Sequence, residues 1–443
     1  MNILLVGGGA REHAMCDTIH RSKNATIFTI MHNENPGISR LSKDILLKNE
    51  TEITTIVDYA LDHEIDITLI GPEAPLQKGL TDALQQKGIS VCAPTKKAAR
   101  IETDKEWMRC LLKKYDISGQ IRCETFTSIQ KAIRFIEDLN GEVALKPIGL
   151  TGGKGVKVSG DHFETQKEAE QYIKDIFKNK IGGQSKVLIE EKIIGEEFTL
   201  QALSDGGSIL PFPAVQDHKR LQPGDKGPNT GGMGSYSRKD GLLPFLSKSD
   251  YEEAASVLQD IIEALSQESC PYIGPIYGQF ILTAEGSKII EINARFGDPE
   301  AMNVLPLLQS DYLEICSAMI NGTINEMKLN ILQKSTVCKY VVPEGYGFKS
   351  MIDEKITVDE NHISNSGARL FYASVNKKEG YVTTTSSRSL AVVGIASSIS
   401  DAEQVAERAL TGIQGDHIYI RHDIGSNGLV NKRVQHMKEL RGM

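Results

Sequence analysis

Residues 277–300, "YGQFILTAEGSKIIEINARFGDPE", decide how the centre of this chain is built. Two apolar segments flank Ala284-Glu285-Gly286 and read as a β-hairpin. A three-residue loop with glycine last suits a type I turn closed by a left-handed residue. In that register Thr283 faces Ser287 and Gln279 lies opposite Glu291; a four-residue loop would slip the pairing by one. Alternate residues of a strand share a face. Glu291, Asn293 and, just past the strand end, Arg295 therefore project together, with Gln279 across from them. A solvated sheet face has the same pattern. Two amides and one carboxylate are also hard oxygen donors, suited to a magnesium ion that keeps some water and binds phosphate.

Upstream, "ILLV" (3–6), "TIFTI" (26–30) and "ITLIG" (67–71) read as short buried strands, with the helical "TEITTIVDYALDHE" (51–64) between the last two. Strands alternating with helices predict a doubly wound parallel sheet to about residue 100. In "APTKKAARIETDKEWMRCLLKKYDI" (93–117), Thr103 and Glu106 have the spacing of a capping box. Lys105 falls in the first turn of that helix, where a cation opposes the macrodipole and an anion nearby would favour it. From about residue 121, "EVALKP", "GVKVSG" and "KVLIEEKI" with the helical "TQKEAEQYIKDIF" predict a small α+β unit. A helix over "SDYEEAASVLQDIIEALSQ", with Ser249 as N-cap, leads into the hairpin. After about residue 325, "STVCKYVVPEG", "ARLFYASV", "SLAVVGIASS" and the helical "SDAEQVAERALTGI" predict a final mixed unit. The expected organisation is 1–102, 103–325 with a subdomain at about 121–190, and 326–443.

The 443 residues exceed what one core usually serves. A net charge of -8 argues against a general nucleic-acid or anionic-membrane surface. The seven cysteines are scattered without a C-x-x-C pair, as expected of buried thiols in a reducing, cytoplasmic compartment. The apolar run at the N-terminus is too short for a signal peptide, and no stretch is long enough to span a bilayer.

Several constellations could bind phosphate. "GGGAREH" (7–13) has Glu12 where a dinucleotide fingerprint requires glycine, which disfavours a nicotinamide cofactor. Glycines entering a helix still offer backbone N–H groups to an anion, with Arg11 and His13 as further donors. "GPEAPL" (71–76) follows a parallel strand, where open α/β sheets bind ligands, so Glu73 could face the same crevice. "LKPIGLTGGKGVKV" (145–158) is a glycine loop between two strands, not a Walker A motif, with Lys146 as candidate phosphate cation. Glu190, Glu191 and Glu197 in "VLIEEKIIGEEF" could accept from ribose hydroxyls or be solvated acids. Residues 216–237, "QDHKRLQPGDKGPNTGGMGSYS", lack periodicity and read as a long functional loop headed by Asp217, His218, Lys219 and Arg220. No serine or cysteine lies in a nucleophile context.

Taken in order, "GGGAREHA", "GPEAPL", "GGKGV", "QDHKR", "GPNTGGMGSYS", "ARFGDPE" and "RHDIG" resemble the ATP-grasp superfamily and, within it, the phosphoribosylamine–glycine ligase family, from Met1 to about Gly425. The resemblance implies a small lid over ATP on a central ATP-grasp core, between an N-terminal α/β domain and a C-terminal mixed domain. It implies ATP positions at Lys105, Lys146, Gly152, Gly153, Lys154, Gly155, Glu190, Glu191 and Glu197. Magnesium or manganese would be held by Gln279, Glu291 and Asn293. Glycine and 5-phosphoribosylamine would lie against Gly9, Arg11, Glu12, His13, Glu73, Asp217, Arg295 and Asp298, with Arg295, Asp298, Lys146 and Asp217 in catalytic roles. The implied reaction joins these two through a glycyl phosphate, in a monomer or weak dimer acting on small molecules alone. "ALKPIGLTGGKG" and "NENPGIS" depart from the commoner family patterns and suggest a divergent branch. Another ATP-grasp ligase and a non-catalytic nucleotide-binding regulator are the rival readings.

Overall fold

The computed structural model describes residues 1–148 and 155–442. Its N-terminal part is a five-stranded parallel sheet ordered Asp44–Leu47, Thr26–Met31, Asn2–Val6, Ile67–Ile70, Ser90–Val91. The chain leaves Asn2–Val6 for one side of the sheet and returns on the other beside Ile67–Ile70. The strand order thus reverses there, and the two turns Gly7–Gly9 and Gly71–Glu73 open side by side at the carboxyl ends, where such sheets form a crevice.

The lid is an antiparallel sheet, Cys123–Phe126, Val187–Glu191, Val143–Pro147, Lys157–Val158, with helices Ile129–Asp138 and Gln166–Asn179. Phe126, Ile136, Leu145, Tyr172, Ile173 and Ile189 belong to a core of its own, separate from the main one. Thr165 caps the second of these helices, its hydroxyl accepting from the Glu168 N–H.

The central sheet runs Ile209–Pro211, Glu196–Asp205, Ile273–Thr283, Gly286–Asn293. Its hairpin corrects the expected turn. Thr283 pairs with Gly286, so the loop is two residues, Ala284-Glu285, and Leu282 faces Ser287. A bulge beside Ile290 then adds one residue to the returning strand and restores Gln279 opposite Glu291. Two caps also move. Asp104, not Thr103, caps the helix Lys105–Lys114 through the Trp107 N–H, because Thr103 already ends the preceding turn Arg100–Thr103. Ser247, not Ser249, caps the helix Lys248–Gln267, in a capping box with Asp250.

The supposed long loop 216–237 is largely strand: Gln216–Asp217, Arg220–Gln222, Lys226–Asn229 and Gly234–Ser237. Its short pieces carry no period of their own and are completed by distant partners. Gly234–Ser237 pairs with Ser335–Pro343, placing a segment from mid-chain within the C-terminal sheet Gln216–Asp217, Gly234–Ser237, Ser335–Pro343, Leu390–Ala396, Arg369–Tyr372. A second small sheet and the helix Ile399–Leu410 complete the C-terminal part. Among the described residues no helix is long and apolar enough to cross a membrane.

Candidate active site

Where the N-terminal turns, lid, central hairpin and C-terminal sheet meet lies a cleft of about 780 Å³. Lys105, Lys146, Glu190, Glu191, Glu197, Asp217, Gln279, Glu291, Asn293, Arg295, Asp298, Arg11 and Glu73 all line it.

At its lid side, Glu190 is 2% exposed and bonded through both oxygens, to Arg109 Nε at 2.8 Å and Lys146 Nζ at 2.6 Å. Burial alone would favour the neutral acid, but these two cations outweigh it and hold the carboxyl below its usual range. Glu190 is therefore occupied in fixing Lys146; a ribose would have to share an acceptor already used twice. The bulge contributes here: Arg109 donates to the Ile289 and Ile290 carbonyls, each at 3.0 Å, and Lys146 approaches the Ile290 carbonyl at 3.4 Å. Arg109 lies one helical turn beyond Lys105, a spacing that could have flagged it. Burial lowers the Lys105 pKa, with Glu291 and Lys146 acting in opposite directions upon it. Glu191 accepts from the Arg122 N–H at 2.7 Å. Gly152, Gly153 and Lys154 lie outside the described residues. Gly155 is not among the lining residues; its carbonyl accepts from Tyr172 Oη at 2.6 Å.

On the hairpin, Gln279 donates to Glu197 Oε2 at 2.5 Å, and its own Oε1 is buried without a hydrogen-bond partner among the described residues. Asn293 Nδ2 donates to Glu291 Oε1 at 3.2 Å. Burial works against the Glu291 charge, yet Lys219 and Lys146 outweigh it and keep its pKa low. Among the described residues no three His, Cys, Asp or Glu side chains gather as a metal cluster, so the oxygen set of the hairpin holds one carboxylate and two amides.

Beside it, burial pushes Asp217 up to about 6, despite the Lys219 charge. Glu300, 2% exposed, is pushed up to about 7 by burial and by the Asp217 charge. Glu300 accepts from Tyr277 Oη at 2.9 Å. Lys219 Nζ bonds Glu197 Oε2 at 3.2 Å, and Glu197, Asp217 and Glu291 overcome its desolvation to raise its pKa. Lys219 and Glu300 join the cleft although the resemblance had not singled them out.

Arg295 pairs with Glu102 at 3.0 Å and Glu73 at 3.5 Å, charges that sustain its protonation against burial. Asp298 accepts from Tyr340 Oη at 2.5 Å and lies 3.2 Å from Arg388, which also donates to the Gly231 and Gly232 carbonyls. Tyr340 and Arg388 come from the C-terminal sheet and its loops; nothing local in their sequence announces this.

The N-terminal glycine turn corrects an expectation. Gly9, Glu12 and His13 are not among the lining residues. Glu12 folds back into the helix start, accepting from the Gly9 N–H at 2.8 Å and from Arg11 Nε at 2.7 Å. A Cβ on Gly71 would stand 2.0 Å from Glu12 Oε1, so the turn is filled by its own carboxylate. His13 Nδ1 accepts from the Tyr372 N–H at 2.9 Å, and burial drops its pKa to about 3. It fastens the N-terminal unit to the strand Arg369–Tyr372 as a neutral ring. Arg11 reaches the cleft and also donates to the Phe296 carbonyl at 3.1 Å.

Family models for phosphoribosylglycinamide synthetase match in three parts: the N domain over residues 1–102, the ATP-grasp (A) domain over 103–301 and the C domain over 336–427. The chain is 50% identical to the phosphoribosylamine–glycine ligase of Methanosarcina barkeri, covering 100% of both chains. It is 48% identical to that of Methanothermobacter thermautotrophicus, also over 100% of both. Among solved structures, phosphoribosylamine–glycine ligase from Thermotoga maritima superposes with TM-score 0.81 at 22% identity, over 96% of this chain and 100% of that one. Biotin carboxylase from Campylobacter jejuni reaches 0.74 at 14% identity, over 99% and 98%, a likeness of fold alone. The chain belongs to the phosphoribosylglycinamide synthetase family.

Proposed function

We propose that the protein joins glycine to 5-phosphoribosylamine at the expense of ATP, giving glycinamide ribonucleotide, ADP and phosphate through a glycyl phosphate, a step of purine synthesis. The observation that carries this reading is the convergence in one cleft of two lysines on the lid side, an amide–carboxylate oxygen set and a largely buried arginine. Phosphoryl transfer requires charge neutralisation and alignment more than a covalent catalyst.

The ATP phosphates would lie between Lys146, fixed by Glu190, and Lys105. The orphaned Gln279 Oε1 and the ionised Glu291 fit a hard divalent cation, magnesium or manganese, with Asn293 completing the set. Such an ion supplies charge neutralisation to the transferring phosphoryl group. Asp217 and Glu300, whose burial penalises their charge more than Lys219 offsets it, suit the ammonium of glycine. The glycine carboxylate attacks the γ-phosphorus, and Arg295 stabilises charge on the acyl phosphate oxygens. The amine of phosphoribosylamine, entering from the Arg11–Glu73 side, then displaces phosphate and gives up its proton. Asp298, pinned by Tyr340, is oriented to hold this second reactant. The lid keeps water from the intermediate. Seven free thiols, five of them buried, fit a cytoplasmic setting.

Phosphate release tests the reading. Protein with ATP and magnesium should release little phosphate alone and much more when glycine and fresh phosphoribosylamine are both supplied. Orienting two bound reactants is worth roughly 7–11 kcal/mol in favourable systems, so omitting either should cut turnover steeply. Release with a different carboxylate–amine pair would identify another ligase, and ATP binding without turnover a regulator.

A further inference from the structure

At the edge of the cleft beside Lys219 lies a turn that the proposed chemistry does not use. Pro223–Asp225 joins the strands Arg220–Gln222 and Lys226–Asn229, and Asp225 adopts φ +60° without being glycine. Such a backbone persists where surrounding contacts over-determine it. Here they do. Asp225 Oδ1 accepts from Arg421 Nη2 at 2.7 Å and lies 3.4 Å from His218 Nδ1, while Oδ2 accepts from Arg433. Arg421 is fully buried and also donates to the Arg220 carbonyl at 2.9 Å and to Asp423, which in turn accepts from the Gly224 N–H at 2.8 Å.

Arg433, on the C-terminal helix Asn427–Leu440, has a second hold. Its Nη1 donates to Glu196 Oε2 at 3.0 Å, and His436 Nδ1 lies 2.6 Å from Glu196 Oε1. Glu196 and Glu197 are neighbours on one strand, so their side chains leave opposite faces. Arg433 therefore grips the strand from behind at Glu196, while Lys219 meets it in front at Glu197. The same guanidinium grips the hairpin that follows Lys219 through Asp225. Both ends of the Lys219–Glu197 contact are thus fixed by one residue more than 200 positions from either.

We propose that Arg433 and Arg421, acting through Asp225, are positioning residues that hold the Lys219 ammonium against Glu197 in the reaction centre. This rests on the ligase reading given above. Polar networks of this kind rigidify the groups they join, so placement at one end is felt at the other.

A double-mutant cycle tests it. Arg433→Gln and Asp225→Asn should each lower kcat by about tenfold with the ATP KM within about twofold, as losing outer support of a site does. In a Lys219→Met background the same substitutions should cost less than about twofold, because the group they position is already gone. Should Asp225→Asn fail to fold, as its melting curve would reveal, Arg433→Gln on the partly exposed helix carries the test alone. Equal losses in both backgrounds, or an unchanged kcat in the single variants, would overturn the proposal. A native protein that releases no glycine-dependent phosphate would refute the ligase reading instead, so the two failures are distinct.

Discussion

Glu190 at the lid side and Glu300 at the body side of the cleft are each 2% exposed, yet they are driven in opposite directions. Arg109 and Lys146 take both oxygens of Glu190 and hold it ionised. Glu300 has a tyrosine hydroxyl and an acidic neighbour, and rises to about 7. Burial is the same; the company differs. An acid already neutralised by the protein is a fixture that aims its cations. In the reading proposed above, an acid left short of a cation is a seat for one that arrives with the substrate.

The most damaging change should fall between the two sides, at Glu291, whose charge is sustained by lysines from both. Glu291→Ala is expected to lower kcat about 1,000-fold or more, since several kcal/mol of charge stabilisation are at stake. Gln279→Ala should cost only about tenfold, because water can replace a neutral amide oxygen. Near-normal turnover of Glu291→Ala at saturating magnesium would remove the hairpin from the chemistry altogether.

Next in size is the contrast itself. Asp217→Asn and Glu300→Gln should each raise the glycine KM about 100-fold, the scale of losing one partner of a buried charge pair, and leave the ATP KM nearly unchanged. Glu190→Gln should act on ATP instead. If it weakened glycine as strongly, the division into fixture and seat would collapse.

Smaller effects should separate the two substrates of opposite ends. Lys146→Ala is expected to raise the ATP KM about tenfold, one charge-assisted contact being worth that much, with phosphoribosylamine little affected. Arg11→Ala should reverse the pattern, and steady-state kinetics with each substrate varied in turn will tell them apart. The smallest signal is a fraction of a proton. Asp217 and Glu300 are raised to about 6 and 7, so they are partly protonated in the free protein near neutrality. An ammonium lowers both pKa values, so glycine binding should release protons at about pH 6.5 and almost none at about pH 8.5. For the same reason kcat/KM for glycine should fall as the pH drops through these values. Calorimetry in buffers of different ionisation enthalpy reads the release directly; equal release at both pH values would reassign the ammonium.

Much of the core was legible in sequence because it is local. Strand period and glycine punctuation locate the parallel sheet, the lid strands and the hairpin, and they bring Gln279, Glu291 and Asn293 to one face. That last success hid two offsetting departures, a shorter turn and a bulge, since turn propensity cannot foresee an extra residue held by Arg109. Thr103 and Ser249 read as caps because each lies within two residues of the true one, which hydrogen bonds to the helix start decide. Glu12 and His13 looked like ligand groups; only the tertiary structure reveals that one fills its own helix start and the other meets Tyr372. Arg388 and Arg433 were illegible for the same reason: the partners that place them lie some 90 to 240 positions away.

The strand Gly234–Ser237 within the C-terminal sheet has consequences for dissection and protein engineering. A fragment starting at 326 would lack the segment that pairs with Thr336–Lys339, and would expose an unpaired strand edge prone to self-association. Supplying a peptide spanning 216–237 should cap that edge in trans. Shuffled or fused versions of the gene would therefore need junctions that keep these segments together, although the chain runs about 100 residues between them.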